Sequence, residues 1–225
     1  MRSAVVFAGG PHGPPDVARA ALDRALSQTL DGAPADLVVA VDSGLHLAVA
    51  LGTPVHMVVG DMDSVDPGLL AQVESAGVEV RRHPVDKDAT DLELALDVAA
   101  EAGIQSVLVL GSDAGRMDHL LGGVLTLASP RFSRMSIRAV LGAAALHVVH
   151  DTCALTGTPG ATVSILAVNG PANGVRTDGL RWPLDGERLD PGTSRGLSNE
   201  FLGETARVSV DDGCVVVVVP EEEQS

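Results

Sequence analysis

The sequence predicts a parallel α/β domain followed by a second domain that is entirely β. In the first 130 or so residues, short apolar runs alternate with segments of helical periodicity, which favours a parallel sheet covered by helices. Beyond about residue 127 the helical periodicity is absent, and β-branched runs are separated by Gly, Pro and Asn turns, as in a sandwich or barrel. We therefore expect a first domain at residues 1–135, a second at 136–220 and a solvated acidic tail at 221–225.

Local sequence patterns predict the strands and helices of the first domain. Apolar residues at helical spacing predict helices at 17–26 and 92–99. Thr90-Asp91-Leu92-Glu93 has the form of a capping box, so Thr90 is the expected N-cap of the second helix. The apolar runs that predict strands lie at residues 4–8, 37–41, 56–59, 78–80 and 106–110.

In the second domain, residues 134–141 alternate between apolar and polar, which indicates a strand with one buried face. The other strands are predicted from β-branched runs. These runs lie at residues 145–149, 162–168, 207–210 and 214–219.

The charge of the chain limits its partners. Of 225 residues, 30 are Asp or Glu and 15 are Lys or Arg, which gives a formal net charge of −15. Such an acidic chain is not expected to bind duplex nucleic acid or an anionic membrane, since both select clustered basic residues. A nucleotide is still possible, because a divalent metal can bridge its phosphates to carboxylates.

Composition indicates a folded cytoplasmic protein. With 45% hydrophobic residues the chain can bury a core, which excludes general disorder. No apolar run reaches the roughly 18 residues of a membrane span, and the first residues do not have the form of a signal peptide. Cys153 and Cys214 form no CxxC pair and no disulfide framework, which fits a reducing compartment.

Acidic residues follow the predicted strands of the first domain. Ligands bind at the carboxyl ends of parallel strands, so these loops are expected to meet at one edge of the sheet. They are Gly9-Gly10-Pro11, Asp42-Ser43-Gly44, Gly60-Asp61-Met62-Asp63-Ser64, the segment Asp86-Lys87-Asp88 before the capped helix, and residues 111–119.

Several of these carboxylates suit a metal site. Asp61 and Asp63 are two residues apart in an extended segment and can reach one cation. Asp91 begins a helix, where the dipole keeps a carboxylate ionised, and Asp118 lies two residues from the guanidinium of Arg116. Asp42 and Asp113 could equally be helix caps.

Acids for Mg²⁺, one lysine, one arginine and a glycine turn are the groups needed for phosphoryl or pyrophosphoryl transfer. The chain lacks GxxxxGK[ST] and GxGxxG, which argues against a P-loop or dinucleotide site. From the residues alone, we infer a metal-dependent enzyme acting on a phosphate ester or anhydride.

The same motifs resemble the thiamine pyrophosphokinase (thiamine diphosphokinase) family. They occur in the family's order and span nearly the whole chain. Besides the loops above, they comprise Thr90-Asp91-Leu92-Glu93, Gly115-Arg116-Met117-Asp118-His119, Gly179-Leu180-Arg181-Trp182-Pro183-Leu184 and Gly196-Leu197-Ser198-Asn199-Glu200.

The resemblance implies a Rossmann-like α/β catalytic domain, a C-terminal β-sandwich that binds thiamine and mediates dimerisation, and a homodimer with active sites at the subunit interface. The implied reaction converts ATP and thiamine to AMP and thiamine diphosphate with Mg²⁺. Asp61, Asp63 and Asp91 would hold the metal, and Asp118 would be a further ligand or accept the proton of the attacking hydroxyl. The implied ATP contacts are Gly10, Asp42, Ser64, Lys87, Asp88, Thr90, Arg116 and His119, and the implied thiamine contacts are Trp182, Ser198 and Asn199.

Two positions depart from the family pattern. The family usually has a second glycine before Gly115-Arg116, where this chain has Ala114. Many members have Asn after the Asp-His motif, where this chain has Gly122-Gly123. The acids and Arg116 are retained, so we expect activity to survive.

Other interpretations stay open. Asp61-Met62-Asp63-Ser64-Val65 also fits the DxDx[TV] motif of haloacid-dehalogenase-type phosphatases, with Asp61 as nucleophile, although that motif normally ends the first strand of its domain and not the third. A regulator that binds nucleotide or thiamine without transfer is another possibility. Trp182 could stack on a cationic ring or lie in a core, and Ser198-Asn199 could be a turn.

Overall fold

The computed structural model describes residues 1–10, 19–20, 22–23, 26, 34–84, 86, 88–112 and 115–220. The chain divides into two compact units. The first comprises Met1–Thr126 with Ala139–Gly142, and the second comprises Leu127–Arg138 with Ala143–Ser225.

The first unit contains a parallel sheet. β1 (Ser3–Phe7) pairs with β2 (Leu37–Val41) on one side and with β5 (Ser106–Gly111) on the other. β3 (Met57–Gly60) pairs with β2 and with β4 (Glu79–Arg82), so the order is β5-β1-β2-β3-β4 and every pair is parallel. The described helices are α1 (Gly44–Ala50), α2 (Pro67–Ser75), α3 (Asp91–Glu101) and α4 (Met117–Leu127).

The central strands are buried along their whole length, as expected when helices cover both faces of a parallel sheet. All five residues of β1 and all four of β3 are buried. Their predicted positions are confirmed to within one or two residues. Half of the helix predicted at 17–26 lies outside the described residues, and its described residues 19, 20, 22, 23 and 26 are helical.

Side-chain caps mark the starts of two helices. The Thr90 Oγ1 accepts a hydrogen bond from the Glu93 amide at 3.2 Å, which confirms the predicted N-cap of α3. Asp66 caps α2 by accepting from the Leu69 amide at 2.8 Å, and Pro67 follows at the first helical position. No helix in the described ranges is both long and apolar enough to cross a membrane.

The second unit is rich in antiparallel strands. β6 (Ser136–Leu141) is divided between the two units, after a 3-10 turn at Pro130–Phe132. The remaining strands are β7 (Ala144–Val149), β8 (Thr152–Thr156), β9 (Thr162–Ala167), β10 (Ala172–Asp178), β11 (Asp185–Leu189), β12 (Asn199–Glu200), β13 (Thr205–Ser209) and β14 (Val215–Pro220). One set of these strands has the order β12-β9-β14-β7 and the other the order β11-β10-β13-β8.

Alternating burial gives this unit its own core. Along β9 every second residue is buried, and Val163 and Ile165 pack with Leu155, Val175 and Phe201. The predicted fold class, an α/β part followed by a β-rich part, is confirmed at this level.

Candidate active site

The Asp42 carboxyl interacts with two carboxylates from other loops of the first unit. Asp42 follows β2, Asp61 follows β3, and Asp91 is the first residue of α3. The pKa of Asp42 is raised to about 7, mainly because the carboxyl is partly buried and further because the Asp91 and Asp61 carboxylates repel its charge. We call Asp42, Asp61 and Asp91 the carboxylate cluster.

Asp42 does not cap the helix that follows it. The N-cap of α1 is Ser43, which makes no side-chain cap hydrogen bond. The Asp42 Oδ1 instead accepts a hydrogen bond from the Met62 amide at 3.2 Å, across the gap between two loops. Of the two roles left open by the sequence for Asp42, the structure removes that of a cap.

The loop after β3 has an uncommon backbone conformation. Gly60 has φ +148° and Met62 has φ +66°, both on the positive side. For Met62 this left-handed conformation costs on the order of 1 kcal/mol and persists where surrounding contacts enforce it. Within the loop, the Asp63 amide donates to the Asp61 Oδ1 at 3.0 Å, which fixes the Asp61 carboxylate.

The glycine turn after β1 is attached to the loop after β2. Gly10, with φ +126°, donates its amide to the Ser43 Oγ at 3.2 Å. A side chain at Gly44 would collide with the Phe7 carbonyl oxygen, since an added Cβ would lie 2.1 Å from it. The carboxyl ends of β1 and β2 are thereby held close together.

Arg116 and Asp118 form an exposed ion pair at the start of α4. The Arg116 Nη2 and Nε lie 2.5 and 3.1 Å from the two Asp118 oxygens, and the side chains are 70% and 63% exposed. The bidentate hydrogen bonds from Arg116 lower the pKa of Asp118 to about 2. Both groups are therefore charged and open to solvent.

The donor set fits a magnesium ion that arrives with phosphates. Among the described residues, no three His, Cys, Asp or Glu side chains are grouped to hold a metal by themselves. Mg²⁺ in phosphoryl-transfer sites usually uses one or two protein carboxylates, substrate phosphates and water. The mutual repulsion at Asp42 is what a divalent cation would relieve.

The other predicted nucleotide contacts are mostly exposed. The structure places Thr90 at the N-terminus of α3 and His119 in the first turn of α4. Lys87, Asp113 and Ala114 lie outside the described residues. The exposed members of this set are Gly10, Ser64, Asp88, Thr90, Arg116 and His119.

The second unit carries the predicted thiamine contacts. Trp182 is 45% exposed, so it is not a core residue. The Arg181 guanidinium lies over its ring, 5.0 Å from the centroid, and pairs with Glu200 at 2.7 Å. An aromatic face, a cation and a carboxylate thus form one cluster on the surface of this unit.

Asn199 and Ser198 have different environments. Asn199 is 4% exposed, and its side-chain amide is hydrogen-bonded to the backbone. Its Nδ2 donates to the Trp182 carbonyl, and its Oδ1 accepts from the amides of Trp182 and Glu200. Ser198 is exposed, has φ +54° and donates its amide to the Ser164 Oγ at 3.1 Å. Asn199 therefore positions Trp182, while Ser198 forms a turn whose side chain is accessible.

Sequence reasoning missed three residues of these clusters. Met62 was overlooked because nothing in a DxD pattern indicates a left-handed central residue. Arg181 and Glu200 were overlooked as an ion pair because 19 positions separate them. The adjacency of Arg181 to Trp182 was the one available signal.

Histidines and cysteines form no further site of three ligands in the described ranges. His147 is buried, and its pKa is lowered to about 3 by burial and by Arg138. The Cys153 Sγ lies 3.5 Å from the His147 Nδ1. Cys214 is buried, which raises the pKa of its thiol to about 11.

Two family models match the chain, one in each half. The model described as "Thiamin pyrophosphokinase, catalytic domain" matches residues 32–139 and so contains the carboxylate cluster. The model described as "Thiamin pyrophosphokinase, vitamin B1 binding domain" matches residues 150–215 and so contains Trp182 and Asn199.

Individual proteins agree with these matches. Thiamine pyrophosphokinase 1 of Oryza sativa subsp. japonica is 26% identical over 208 residues, covering 88% of this chain and 76% of that protein. Thiamine pyrophosphokinase of Bacillus subtilis is 23% identical over 192 residues, covering 81% and 86%. The crystal structure of thiamine pyrophosphokinase from Bacillus subtilis superposes with a TM-score of 0.80 at 21% identity, covering 99% of this chain and 100% of that one. The structure from Candida albicans gives a TM-score of 0.74 at 13% identity, covering 98% and 89%. At these identities the solved structures establish the fold.

Proposed function

The chain belongs to the thiamin pyrophosphokinase family, and we propose that it converts ATP and thiamine to AMP and thiamine diphosphate. It is accordingly an enzyme, a thiamine diphosphokinase. The observation that carries the proposal is the carboxylate cluster. It brings acids from three loops to the carboxyl ends of parallel strands, inside the segment matched by the catalytic-domain model.

We propose that Asp61, Asp63 and Asp91 hold Mg²⁺ on the triphosphate. When bound, the metal would neutralise charge on the phosphates and on the leaving group. In the protein itself, the exposed turn at Gly10 has no side chain to keep a phosphate from the backbone, and the N-terminus of α3 offers backbone amides of the kind that bind phosphate.

The geometry of the Arg116–Asp118 pair supports a role for both residues in the transfer. Arg116 can exchange the Asp118 carboxylate for a phosphate, since both are matched by its planar fork. Once Arg116 has turned away, the pKa of Asp118 rises from about 2 towards its ordinary value, and the carboxylate becomes a better proton acceptor. The thiamine hydroxyl oxygen then attacks the β-phosphorus, and the bond from the β-phosphorus to the oxygen that bridges it to the α-phosphorus breaks. AMP leaves with that oxygen, the β- and γ-phosphoryl groups stay on thiamine, and Asp118 takes the hydroxyl proton.

For thiamine, we propose binding at Trp182, Ser198 and Asn199. The thiazolium ring is cationic, so an aromatic face and a nearby carboxylate such as Glu200 would stabilise it. The net charge of −15 is also favourable to a cationic substrate.

We further propose that residues 1–135 form a Rossmann-like catalytic domain and residues 136–220 a β-sandwich for thiamine binding and dimerisation. The boundary between the two family matches, at residues 139 and 150, supports this division. A homodimer and a cytoplasmic location complete the proposal. Free Cys153 and Cys214 support the latter.

The experiment is an incubation of the purified protein with MgATP, with and without thiamine, beside one with p-nitrophenyl phosphate and no ATP. We expect AMP to form in a thiamine-dependent manner and no phosphate to be released from the simple ester. Ester hydrolysis that is lost in Asp61→Asn would instead favour the phosphatase. Calorimetric ATP binding without any AMP would favour a non-catalytic regulator.

A further inference from the structure

Asp42 connects two elements that carry the other members of the carboxylate cluster. On one side its Oδ1 accepts from the Met62 amide, which lies between Asp61 and Asp63. On the other side its carboxyl interacts with the side chain of Asp91, at the start of α3. We propose that Asp42 is a positioning residue that sets the spacing of Asp61 and Asp91, rather than a ligand of ATP or metal. The proposal rests on the proposed function of the site.

The first support is the conformation of the loop that Asp42 holds. Met62 has φ +66°, which a bulky side chain does not adopt without enforcing contacts. The hydrogen bond from the Met62 amide to Asp42 is such a contact. Because the next amide, that of Asp63, donates to Asp61, the bond to Asp42 also determines where the Asp61 carboxylate lies.

The second support is the close fit between Asp42 and Gly60. A Cβ at Gly60 would lie 1.7 Å from the Asp42 Oδ1 and 2.4 Å from its Cγ, so the carboxyl occupies the space of the missing side chain. Gly60 also has φ +148°, a conformation open to glycine. Asp42 is thus packed against the loop as well as hydrogen-bonded to it, which leaves its carboxyl little freedom to turn towards a ligand.

The contacts of Asp42 allow the effect of its side-chain shape to be separated from the effect of its charge. Asparagine has the size of aspartate, its Oδ1 can still accept from Met62, and its Nδ2 can donate to Asp91. A positioning role therefore survives in Asp42→Asn and is lost in Asp42→Ala. A role of Asp42 as a charged ligand, of the metal or of the nucleotide, is lost in both variants.

The test measures MgATP affinity by calorimetry without thiamine, and hydrogen exchange at the Met62 amide. For Asp42→Ala we expect affinity to fall about 10- to 100-fold and the Met62 amide to exchange faster, as when other supporting residues of metal sites are removed. For Asp42→Asn we expect affinity within about threefold of wild type, because its Oδ1 can still accept from the Met62 amide and its Nδ2 can donate to Asp91, together with a protected Met62 amide. In turnover assays, KM for MgATP should rise in Asp42→Ala while KM for thiamine stays near that of wild type.

A substitution at Gly60 tests the contact between Gly60 and Asp42 independently. Gly60→Ala forces the Asp42 carboxyl out of place and should weaken MgATP binding about as much as Asp42→Ala. Gly77→Ala is its control, since Gly77 also has a positive φ, +88°, but an added Cβ there meets nothing within 4 Å. In Asp42→Ala the displaced carboxyl is absent, so adding Gly60→Ala to it should lower affinity less than it does in the wild type.

Equal loss of affinity in Asp42→Asn and Asp42→Ala would overturn the proposal, since charge and not position would then matter. Unchanged affinity in Asp42→Ala would also overturn it. The calorimetric affinity and the hydrogen exchange of the Met62 amide are measured without turnover. A wild-type protein that binds MgATP but forms no AMP would therefore contradict the proposed function and leave this test intact.

Discussion

Asn199 holds the backbone of Trp182 through two hydrogen bonds. Its Nδ2 donates to the Trp182 carbonyl at 2.7 Å, and its Oδ1 accepts from the Trp182 amide at 3.0 Å. Asn199 is buried while the Trp182 ring is half exposed. The exposed indole is thereby fixed by a buried amide, an arrangement suited to a rigid aromatic surface for a ligand.

Replacing Asn199 by Ala should cost about 2 kcal/mol of the free energy of unfolding, because two backbone groups of Trp182 lose their partner. Asn199→Asp keeps the acceptor for the Trp182 amide but places a buried, unpaired carboxylate oxygen against the Trp182 carbonyl, so we expect it to cost at least as much. Urea unfolding measures both. Equal stability of Asn199→Ala and the wild type would show that these bonds do not hold Trp182.

Trp182→Ala should raise KM for thiamine about tenfold and leave KM for ATP within about twofold, since the lost group is a cation-binding surface. Because the ring is half exposed, we expect the melting temperature to fall by less than about 4 °C. Trp182→Phe keeps an aromatic face and should lie between the two. If the KM values for thiamine and for ATP are both unchanged, Trp182 has no part in substrate binding.

Asp61→Asn and Asp91→Asn should each lower kcat by at least about two orders of magnitude, or about 3 kcal/mol of transition-state stabilisation. The physical reason is the loss of a negative oxygen that would hold Mg²⁺ on the triphosphate. Asp178→Asn, an exposed carboxylate at the end of β10, is the control. Near-normal rates in both variants at saturating Mg²⁺ would remove these residues from the metal site.

Asp42 should make the metal-free protein less stable as the pH rises. Its carboxyl has a pKa of about 7 in the folded protein against an ordinary value of 3.8. The folded state therefore holds a proton that the unfolded chain has released, and this contribution to stability is complete below about pH 3.8 and lost as the pH passes about 7. Asp42→Asn does not titrate, so its stability relative to wild type should increase from pH 5 to pH 8. Guanidinium unfolding in EDTA measures this, and a difference that is the same at both pH values would contradict it.

The sequence predicted regular parts of the fold well, because periodic burial and capping are local. β1 to β5 lie within a residue or two of their predicted positions, and the Thr90 cap is confirmed. β10 and β11 were missed because their exposed faces carry charged residues and few apolar ones. α1 was missed because its seven residues are too short to establish a period.

The candidate site was predicted less completely, because its geometry depends on non-local contacts. The acidic loops could be named from their places after strands, but the contact of Asp42 with Met62 joins residues 20 positions apart. The backbone position of Trp182 likewise depends on hydrogen bonds from Asn199, which is 17 positions away. Neither relation leaves a periodic signal in the chain.

Identification of the products tests the central assignment most directly. Purified protein is incubated with Mg²⁺, ATP and thiamine, and nucleotides and thiamine phosphates are separated and quantified. We expect AMP and thiamine diphosphate in equal amounts, with neither formed when thiamine is left out. ADP together with thiamine monophosphate would mean transfer of a single phosphoryl group and would contradict the assignment.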